Sequence, residues 1–225
     1  MVEIRTYYLP PTRLMPNSPL PLIHYIGLVR PEDCTPLSMH DLYESNGWQT
    51  QWIVRYGNTQ RSHYHGNTHE CMTVLRGSAK IRFGVADTTE DMDGNTYGGM
   101  HEEGGIELAA SAGDVFILPA GLAHKTYDTL PAGDLKLLTP GKGEGIEADD
   151  PRKTLAELVL DGFTMMGSYP FGGRWNFAVG GEDEGDFERV WQLARPLRDP
   201  VLGKSKEGLC GLWKSAGGQS TLKAA

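Results

Sequence analysis

One short segment, residues 57–77, restricts the fold of this chain more than any other. Its sequence is GNTQRSHYHGNTHECMTVLRG, in which His63 and His65 lie two residues apart and Glu70 follows five residues later. Residues i and i+2 of a β-strand project from the same face, so both imidazoles point the same way. The residues between His65 and Glu70 predict a turn that returns the carboxylate to the histidines. Two imidazoles and a carboxylate at one point are typical of a divalent-metal site.

A second segment, residues 113–124 (GDVFILPAGLAH), supplies a third imidazole from His124. Together the two segments match the two cupin motifs, G-x5-H-x-H-x4-E-x6-G and G-x5-P-x-G-x2-H. The matching residues are Gly57, His63, His65, Glu70 and Gly77 in the first motif, and Gly113, Pro119, Gly121 and His124 in the second. The second motif usually ends in a structural Asn four residues after its histidine, where this chain has Asp128.

The resemblance extends beyond the motifs. The chain resembles small single-domain cupins of bacteria and fungi over residues 40–213. The shared features, in chain order, are Asn46-Gly47-Trp48, His63-Tyr64-His65, His69-Glu70, Tyr169-Pro170, Trp175 and a segment from Asp199-Pro200 to Trp213. This resemblance implies an all-β, double-stranded β-helix (the cupin jelly-roll barrel) and a metal held by His63, His65, Glu70 and His124. It implies no particular reaction, because one fold can host many functions.

Length and composition restrict the class of protein further. A chain of 225 residues, 39% of them hydrophobic, is long enough for one barrel with a substantial core. The net charge of −8 argues against nucleic acid or an anionic membrane as a partner. The sequence has no signal-peptide pattern and no run of 18 apolar residues, and it has three scattered cysteines. We therefore expect a reduced, cytoplasmic protein.

The order of sequence patterns predicts three regions. Residues 1–36 are an N-terminal strand and an arm rich in proline, residues 37–215 are a single cupin domain with a C-terminal helix, and residues 216–225 are a flexible tail. Short helices are predicted at 38–44, 151–160 and 187–195, and residues 87–105 are predicted to be a solvated loop. We expect the arm to cover a barrel edge of its own chain or of a partner, and we expect a homodimer.

Strand alternation predicts the wall of the pocket. Residues 48–56 alternate, which places Trp48, Trp52, Val54 and Tyr56 on one face, either as core or, for Trp52, as pocket wall. His69 and Cys71 are predicted to point away from the face of Glu70. The predicted substrate-binding residues are Trp52, Arg61, Met72, Val74, Phe83, Leu122 and Trp175. The last of these lies in the glycine-rich segment 170–181, which is either a lid or a piece of core.

The predicted ligands suit Fe, Mn, Ni, Cu, Co or Zn, as one divalent transition metal. Four protein ligands leave adjacent positions for oxygen or a chelating substrate, and the apolar wall favours a small enolic, phenolic or polyketide-like molecule. The leading hypothesis is a dioxygenase-type oxidoreductase. The alternatives are a redox-neutral isomerase, cyclase or lyase, and a non-catalytic metal-binding or metabolite-binding protein. A redox-neutral enzyme needs a general base besides the ligands. The candidate bases are Tyr64, Asp128, His69 and His24.

Overall fold

The computed structural model describes residues 3–213, so the predicted tail and the last two residues of the predicted domain lie outside the described residues. The strands and helices in chain order are β1 (Glu3–Tyr7), β2 (Leu22–Ile26), α1 (Pro36–Ser45), β3 (Trp48–Arg55), β4 (Glu70–Arg76), β5 (Ser78–Phe83), α2 (Met92–Tyr97), β6 (Ile106–Ser111), β7 (Val115–Leu118), β8 (His124–Leu130), β9 (Lys136–Leu137), α3 (Pro151–Ala156), β10 (Thr164–Pro170), α4 (Phe187–Trp191) and α5 (Leu209–Leu212).

The strands form two antiparallel sheets. One has seven strands in the order β1-β2-β7-β4-β10-β3-β9, and the other has three in the order β6-β5-β8. Within residues 3–213 the two sheets share no strand and therefore do not close into a continuous hydrogen-bonded barrel. The predicted all-β jelly roll with a few short helices is confirmed. No helix of the described chain has the length and apolarity to cross a bilayer.

Each face of the large sheet carries its own hydrophobic cluster. The inner cluster lies between the sheets and includes Met72, Val74, Phe83 and Phe116. The outer cluster includes Cys71 of β4, and it is covered by α1 and by residues near the C-terminal end of the described chain. Alternation along β4 sends neighbouring residues to opposite clusters, as the sequence predicts.

The prediction that Trp48 shares a face with Trp52 is wrong, because a β-bulge interrupts β3. In the pairing with β10, Gly167 lies opposite Trp52 and Ser168 lies opposite Thr50, so Gln51 is the extra residue. A bulge of one residue reverses the alternation beyond it. Trp48 therefore packs in the outer cluster, whereas Trp52 contacts the inner one.

The N-terminal arm is part of the large sheet. β2 pairs with β1 on one side and with β7 on the other, so the arm extends the sheet beyond β7. Further along the chain, the carboxylate of Glu102 accepts hydrogen bonds from the Thr12 hydroxyl at 2.6 Å and from the backbone N–H of Ala86 at 3.0 Å. Most of residues 87–105 are exposed, as predicted, but the prediction of a loop without secondary structure and of a solvated Glu102 is wrong. This segment contains α2 and fastens the arm to the body of the protein.

Two motif glycines are required by close backbone approaches. Gly77 has φ +83°, and a Cβ atom there would lie 2.2 Å from the carbonyl oxygen of Leu130. Gly113 has φ +93°, and a Cβ atom there would lie 2.1 Å from the carbonyl oxygen of Val29. Both positions combine a left-handed conformation with a backbone clash, so a residue with a side chain would be strained at either.

Candidate metal centre

The two motifs meet through a pair of backbone hydrogen bonds. The N–H of His63 donates to the carbonyl of His124 at 3.1 Å, and the N–H of His124 donates to the carbonyl of His63 at 2.8 Å. Because His65 lies two residues beyond His63, its side chain projects on the same side. The three imidazoles are buried and have ring nitrogens within 4.8 Å of one another.

Each of these imidazoles is oriented by a backbone carbonyl. The Nδ1 atoms of His63, His65 and His124 lie 3.0 Å, 2.5 Å and 3.3 Å from the carbonyl oxygens of Arg61, Asn176 and Leu122, respectively. A carbonyl oxygen only accepts hydrogen bonds, so each Nδ1 carries a proton, and in the neutral imidazole Nε2 keeps its lone pair. This tautomer is the one that a metal-binding histidine adopts when its outer nitrogen is held by an acceptor.

The carboxylate of Glu70 lies between two of these histidines. Its Oε1 is 3.5 Å from Nε2 of His65, and its Oε2 is 3.5 Å from Nε2 of His124. Both carboxylate oxygens are buried and have no hydrogen-bond partner. Burying this carboxylate is costly, and either a protonated histidine or a cation bound between these groups would offset that cost.

The residues present fit a divalent transition metal. Two ligand atoms bound about 2.1 Å from one ion lie roughly 3.0–3.4 Å apart at octahedral to tetrahedral angles, close to the separations between Glu70 and the two histidines. Three imidazole nitrogens and a carboxylate oxygen form a donor set that suits Fe, Mn, Ni, Cu, Co and Zn. His63, His65 and His124 could hold the ion, and we propose Glu70 as the fourth ligand.

The fold is that of a cupin. Both motif spacings are present, the strands form the two antiparallel sheets of a jelly roll, and the histidines of the two motifs meet between them.

Burial and mutual charge control the protonation of the ligands. Burial, and then the neighbouring His124 and His65, hold the pKa of His63 well below its usual value, and burial lowers the pKa of His124 to about 4. Burial is the largest single influence on His65 and acts to lower its pKa, but the charge and hydrogen bond of Glu70 together with the carbonyl of Asn176 outweigh it, so the pKa is raised. Burial likewise acts to raise the pKa of Glu70, but His65, His124 and Tyr169 together outweigh it, so the pKa is lowered. Two of the three imidazoles are therefore neutral and ready to bind a metal.

A cavity of about 310 Å³ opens beside the histidines. Its wall is mostly aromatic and aliphatic, and the lining residues are Trp52, Val54, Tyr56, Gln60, His63, His65, Leu135, Leu137, Lys142, Gly143, Tyr169, Trp175 and Phe177. Phe177 stacks on His63 with ring centres 4.1 Å apart, and Trp175 lies edge-on to His65 at 6.0 Å. The indole N–H of Trp52 donates to the hydroxyl of Tyr169 at 3.2 Å.

Two of the predicted wall residues, Trp52 and Trp175, line this cavity. Four others are in the buried core between the sheets and do not line it; they are Met72, Val74, Phe83 and Leu122. Met72 and Val74 do share the face of Glu70, but the strand carries them away from the metal centre into the core. Their proximity in sequence to Glu70 therefore does not place them at the cavity.

Arg61, Tyr64 and Asp128 also lie away from the cavity lining. The guanidinium of Arg61 pairs with Glu90 at 2.8 Å. Tyr64 lies between two ligands on an extended segment, so it points to the opposite side, where its hydroxyl donates to Asp183 at 2.8 Å. The sequence offered Tyr64 as a candidate base, but strand alternation removes it from the metal side.

Asp128 occupies a bulge in β8. Lys80 pairs with Tyr127 and Ser78 pairs with Leu130, so β8 carries an extra residue at this point. Asp128 has φ +53°, a conformation that Asn and Asp tolerate better than most residues. This explains why the motif usually has Asn here. The carboxylate of Asp128 pairs with Lys80 at 2.9 Å and accepts from the hydroxyl of Tyr97, instead of facing the cavity.

The remaining candidate bases, His24 and His69, are buried outside the cavity lining. His24 stacks on Phe116 with ring centres 4.1 Å apart. Nδ1 of His69 accepts from the backbone N–H of Ala120 at 2.9 Å, and burial lowers the pKa of this imidazole to about 4. The sequence predicted that His69 points away from Glu70, which agrees with this position, and its hydrogen bond supports the turn before His124.

A buried ion pair supports the metal ligands from outside. Nζ of Lys125 lies 3.0 Å from Oδ1 of Asp87, and the Asp87 carboxylate also accepts from the backbone N–H of Ser62 at 2.9 Å. Ser62 precedes His63 and Lys125 follows His124, so one carboxylate holds the chain at both ligands. We call Asp87, Lys125 and Ser62 the ligand clamp.

The sequence analysis missed several cavity residues. Tyr56 and Val54 share the face of Trp52, so alternation could have assigned them to the wall together with it. Phe177 lies two residues after Trp175, so the same i, i+2 spacing could have assigned it to the wall. Lys142 belongs to a loop without periodicity, and no sequence pattern indicates its place at the cavity.

No protein-family model matches the chain. An uncharacterized protein of Bacillus subtilis, YjlB, is 27% identical over 217 residues, which cover 94% of this chain and 97% of that protein.

The solved structures are more distant. RmlC from Streptococcus suis, in complex with dTDP-D-xylose, is 10% identical with a TM-score of 0.35, and the match covers 78% of this chain and 72% of that one. A mutant of the Bacillus subtilis oxalate decarboxylase OxdC is 13% identical with a TM-score of 0.30, and the match covers 57% of this chain and 24% of that one. The cupin assignment therefore rests on this chain's own motifs and geometry.

Replacing His65 with Ala is expected to lower the metal content sharply while the protein still folds. The variant removes one imidazole from the centre and leaves the sheets intact. Metal per chain is measured by elemental analysis and folding by circular dichroism. His101→Ala is the control, because His101 lies outside the group of three histidines. Unchanged metal stoichiometry in His65→Ala would contradict the ligand assignment.

Replacing Asp87 with Asn is expected to destabilise the protein by about 3–5 kcal/mol, the usual cost of leaving a buried charge unpaired. The Lys125 side chain is almost completely buried, and burial already lowers its pKa against the opposing charge of Asp87. The free energy of unfolding is measured in urea on metal-free protein.

The matched control for this experiment is Glu90→Gln, which removes the exposed partner of Arg61 and should cost about 1 kcal/mol or less. Metal affinity should also fall in Asp87→Asn and not in Glu90→Gln, because Asp87 bonds to the backbone next to His63, whereas Glu90 contacts only the exposed side chain of Arg61. Equal losses of stability in the two variants would show that the clamp has no special role.

Proposed function

We propose that this protein is a metal-dependent oxidoreductase of the dioxygenase type that acts on a small enolic, phenolic or polyketide-like substrate. The observation that carries this proposal is the composition of the cavity. It combines a candidate metal centre with an aromatic wall, and its thirteen lining residues include no Asp or Glu.

The absence of carboxylates from the wall favours oxidation over a redox-neutral reaction. An isomerase, cyclase or lyase needs a positioned general base that is not itself a metal ligand. The bases that the sequence offered are Tyr64, Asp128, His69 and His24, and none of them is among the residues that line the cavity.

The tyrosines of the wall do not supply that base. Burial, and next the charge of Glu70, raise the pKa of Tyr56 and of Tyr169 well above the usual value. Both phenols therefore stay protonated at neutral pH and act as hydrogen-bond donors or as apolar surface. Tyr169 additionally accepts from the indole N–H of Trp52, which fixes both rings at the wall.

The side chains of the cavity have clear roles in this proposal. A redox-active divalent metal, when bound, would supply the electron transfer between substrate and dioxygen. The rings of Trp52, Trp175 and Phe177 would hold a flat substrate against the histidines and keep water away. Gly167 supports this arrangement, because a Cβ atom there would lie 2.1 Å from the Trp52 ring.

Oxygen uptake tests the proposal directly. Protein loaded separately with Fe, Mn, Ni, Cu, Co or Zn is incubated with pentane-2,4-dione, 1-phenylbutane-1,3-dione and catechol, and oxygen consumption is followed with an electrode. We expect uptake with a redox-active metal and none with Zn or with His65→Ala. Substrate conversion without oxygen uptake would instead establish the redox-neutral alternative. Binding without conversion would favour the non-catalytic one. Metal analysis of protein purified from its native host identifies the metal that it binds in the cell.

Replacing Trp175 with Ala is expected to reduce activity or ligand affinity about tenfold or more and to change the melting temperature by only a few degrees. Trp175 is half-buried, lines the cavity and lies edge-on to His65. Removing a residue of the cavity wall weakens the binding and positioning of the substrate more than it lowers the stability of the protein. Activity, affinity and melting temperature are measured on the same preparation.

Trp191→Ala is the matched control. The indole N–H of Trp191 donates to the carbonyl of Pro16 at 3.0 Å, which ties α4 to the N-terminal arm. Its truncation should therefore lower stability without a specific effect on binding. If Trp175→Ala loses several kcal/mol of stability, as core truncations do, the residue is part of the core and not of the site.

A further inference from the structure

One basic side chain stands at the cavity apart from the histidines. Lys142 is the only Lys or Arg among the thirteen lining residues, and it is exposed to solvent. No carboxylate lines the cavity with it. An approaching molecule therefore meets an ammonium group at the wall and no opposing negative charge outside the metal centre.

Lys142 has no partner in the described structure. Arg61, Lys80, Arg82 and Lys125 each pair with a carboxylate, and Lys142 makes neither an ion pair nor a hydrogen bond within residues 3–213. Other exposed lysines of the described chain, such as Lys153, also lack an ion pair, and what distinguishes Lys142 is its position at the cavity. A lone cation at the wall of an apolar cavity is suited to an anionic ligand group.

The segment that carries Lys142 is attached to the cavity wall. The N–H of Gly145 donates to the carbonyl of Gln51 at 3.2 Å, at the bulge of β3. A Cβ atom on Gly143 would lie 3.9 Å from Cβ of Trp52, so the backbone beside Lys142 runs close to that residue. These contacts keep the base of the Lys142 side chain at the cavity although its ammonium group is free.

Two further lining residues carry hydrogen-bond donors that lack acceptors. The side-chain nitrogen of Gln60 and the indole nitrogen of Trp175 are both buried without a hydrogen-bond partner. Buried donors are normally satisfied, so unpaired ones in a cavity wall indicate a missing acceptor. Lys142, Gln60 and Trp175 thus each bring to the cavity a donor without an acceptor.

We propose that the ligand of this cavity is an aromatic or enolic molecule that carries one anionic group, such as a carboxylate, and that Lys142 binds this group. The aromatic wall contacts the flat body, Lys142 contacts the anion, and Gln60 and Trp175 donate to its oxygen atoms. This deepens the proposed function by naming the class of substrate, and it rests on that function only in assigning the substrate to this cavity.

The test compares two probes of nearly the same shape, naphthalene-2-carboxylate and the neutral naphthalene-2-carboxamide, in which an NH2 group replaces one carboxylate oxygen. The loss of that acceptor is the same in every variant at position 142, so the difference between the variants reports the charge. Their affinities are measured by calorimetry for the wild type, Lys142→Met, Lys142→Arg and Lys153→Met. Lys153→Met is the matched control, because it removes the same charge from an exposed lysine outside the cavity lining. Each protein is tested with Zn and without metal, since a carboxylate can also bind a metal.

We expect the metal-free wild type to prefer the carboxylate by about threefold to fivefold, the size of an exposed ion pair. Lys142→Met should lose this preference, and Lys142→Arg and Lys153→Met should keep it. High salt should weaken it in every protein that shows it.

Equal binding of the two probes by the wild type, a preference that survives in Lys142→Met, or no binding of either probe at millimolar concentration would overturn the proposal. The metal-free measurement tests the role of Lys142 separately from the proposed oxidoreductase activity. Absence of oxygen uptake with every metal would contradict the oxidoreductase and leave the charge preference unaffected. Loss of the charge preference alone would contradict only the role of Lys142.

Discussion

The candidate metal centre depends on the two backbone hydrogen bonds that join His63 to His124. These bonds bring together residues that are far apart in the chain, and without them the two motifs would not share a site. The ligand clamp acts on the same contact from outside, because Asp87 holds both Ser62 and Lys125. The position of the ligands is therefore set by backbone pairing and a buried ion pair, independently of any metal.

The orientation of the imidazoles follows from that backbone geometry. Each ligand histidine directs its Nδ1 proton to a nearby carbonyl and leaves Nε2 free. The carboxylate of Glu70 then lies against two Nε2 atoms without a hydrogen bond of its own. Such a preorganised set of donors reduces the reorganisation that metal binding would require.

Closeness in sequence to the histidines does not decide which residues line the cavity. Tyr64 lies between two ligands and still faces away from them, whereas Phe177, from a distant loop, stacks on His63. What remains at the metal is aromatic surface, two protonated phenols and a few donors. This composition is the physical basis for preferring oxidation of a flat substrate to acid–base chemistry. That the protein forms a homodimer remains a prediction from the sequence.

The sequence alone determined the fold class and the three histidines, because motif spacing and strand alternation are local properties that survive folding. It also determined that Cys71 of β4, and His69 just before this strand, point away from the side of Glu70. Tertiary structure decided the rest. A bulge at Gln51 reverses the alternation of β3, so Trp48 faces the outer cluster and not the cavity. A bulge in β8 at Asp128 turns that carboxylate away from the cavity. Lys142 reaches the cavity on a loop without periodicity, and a loop is positioned by the contacts it makes with other parts of the chain.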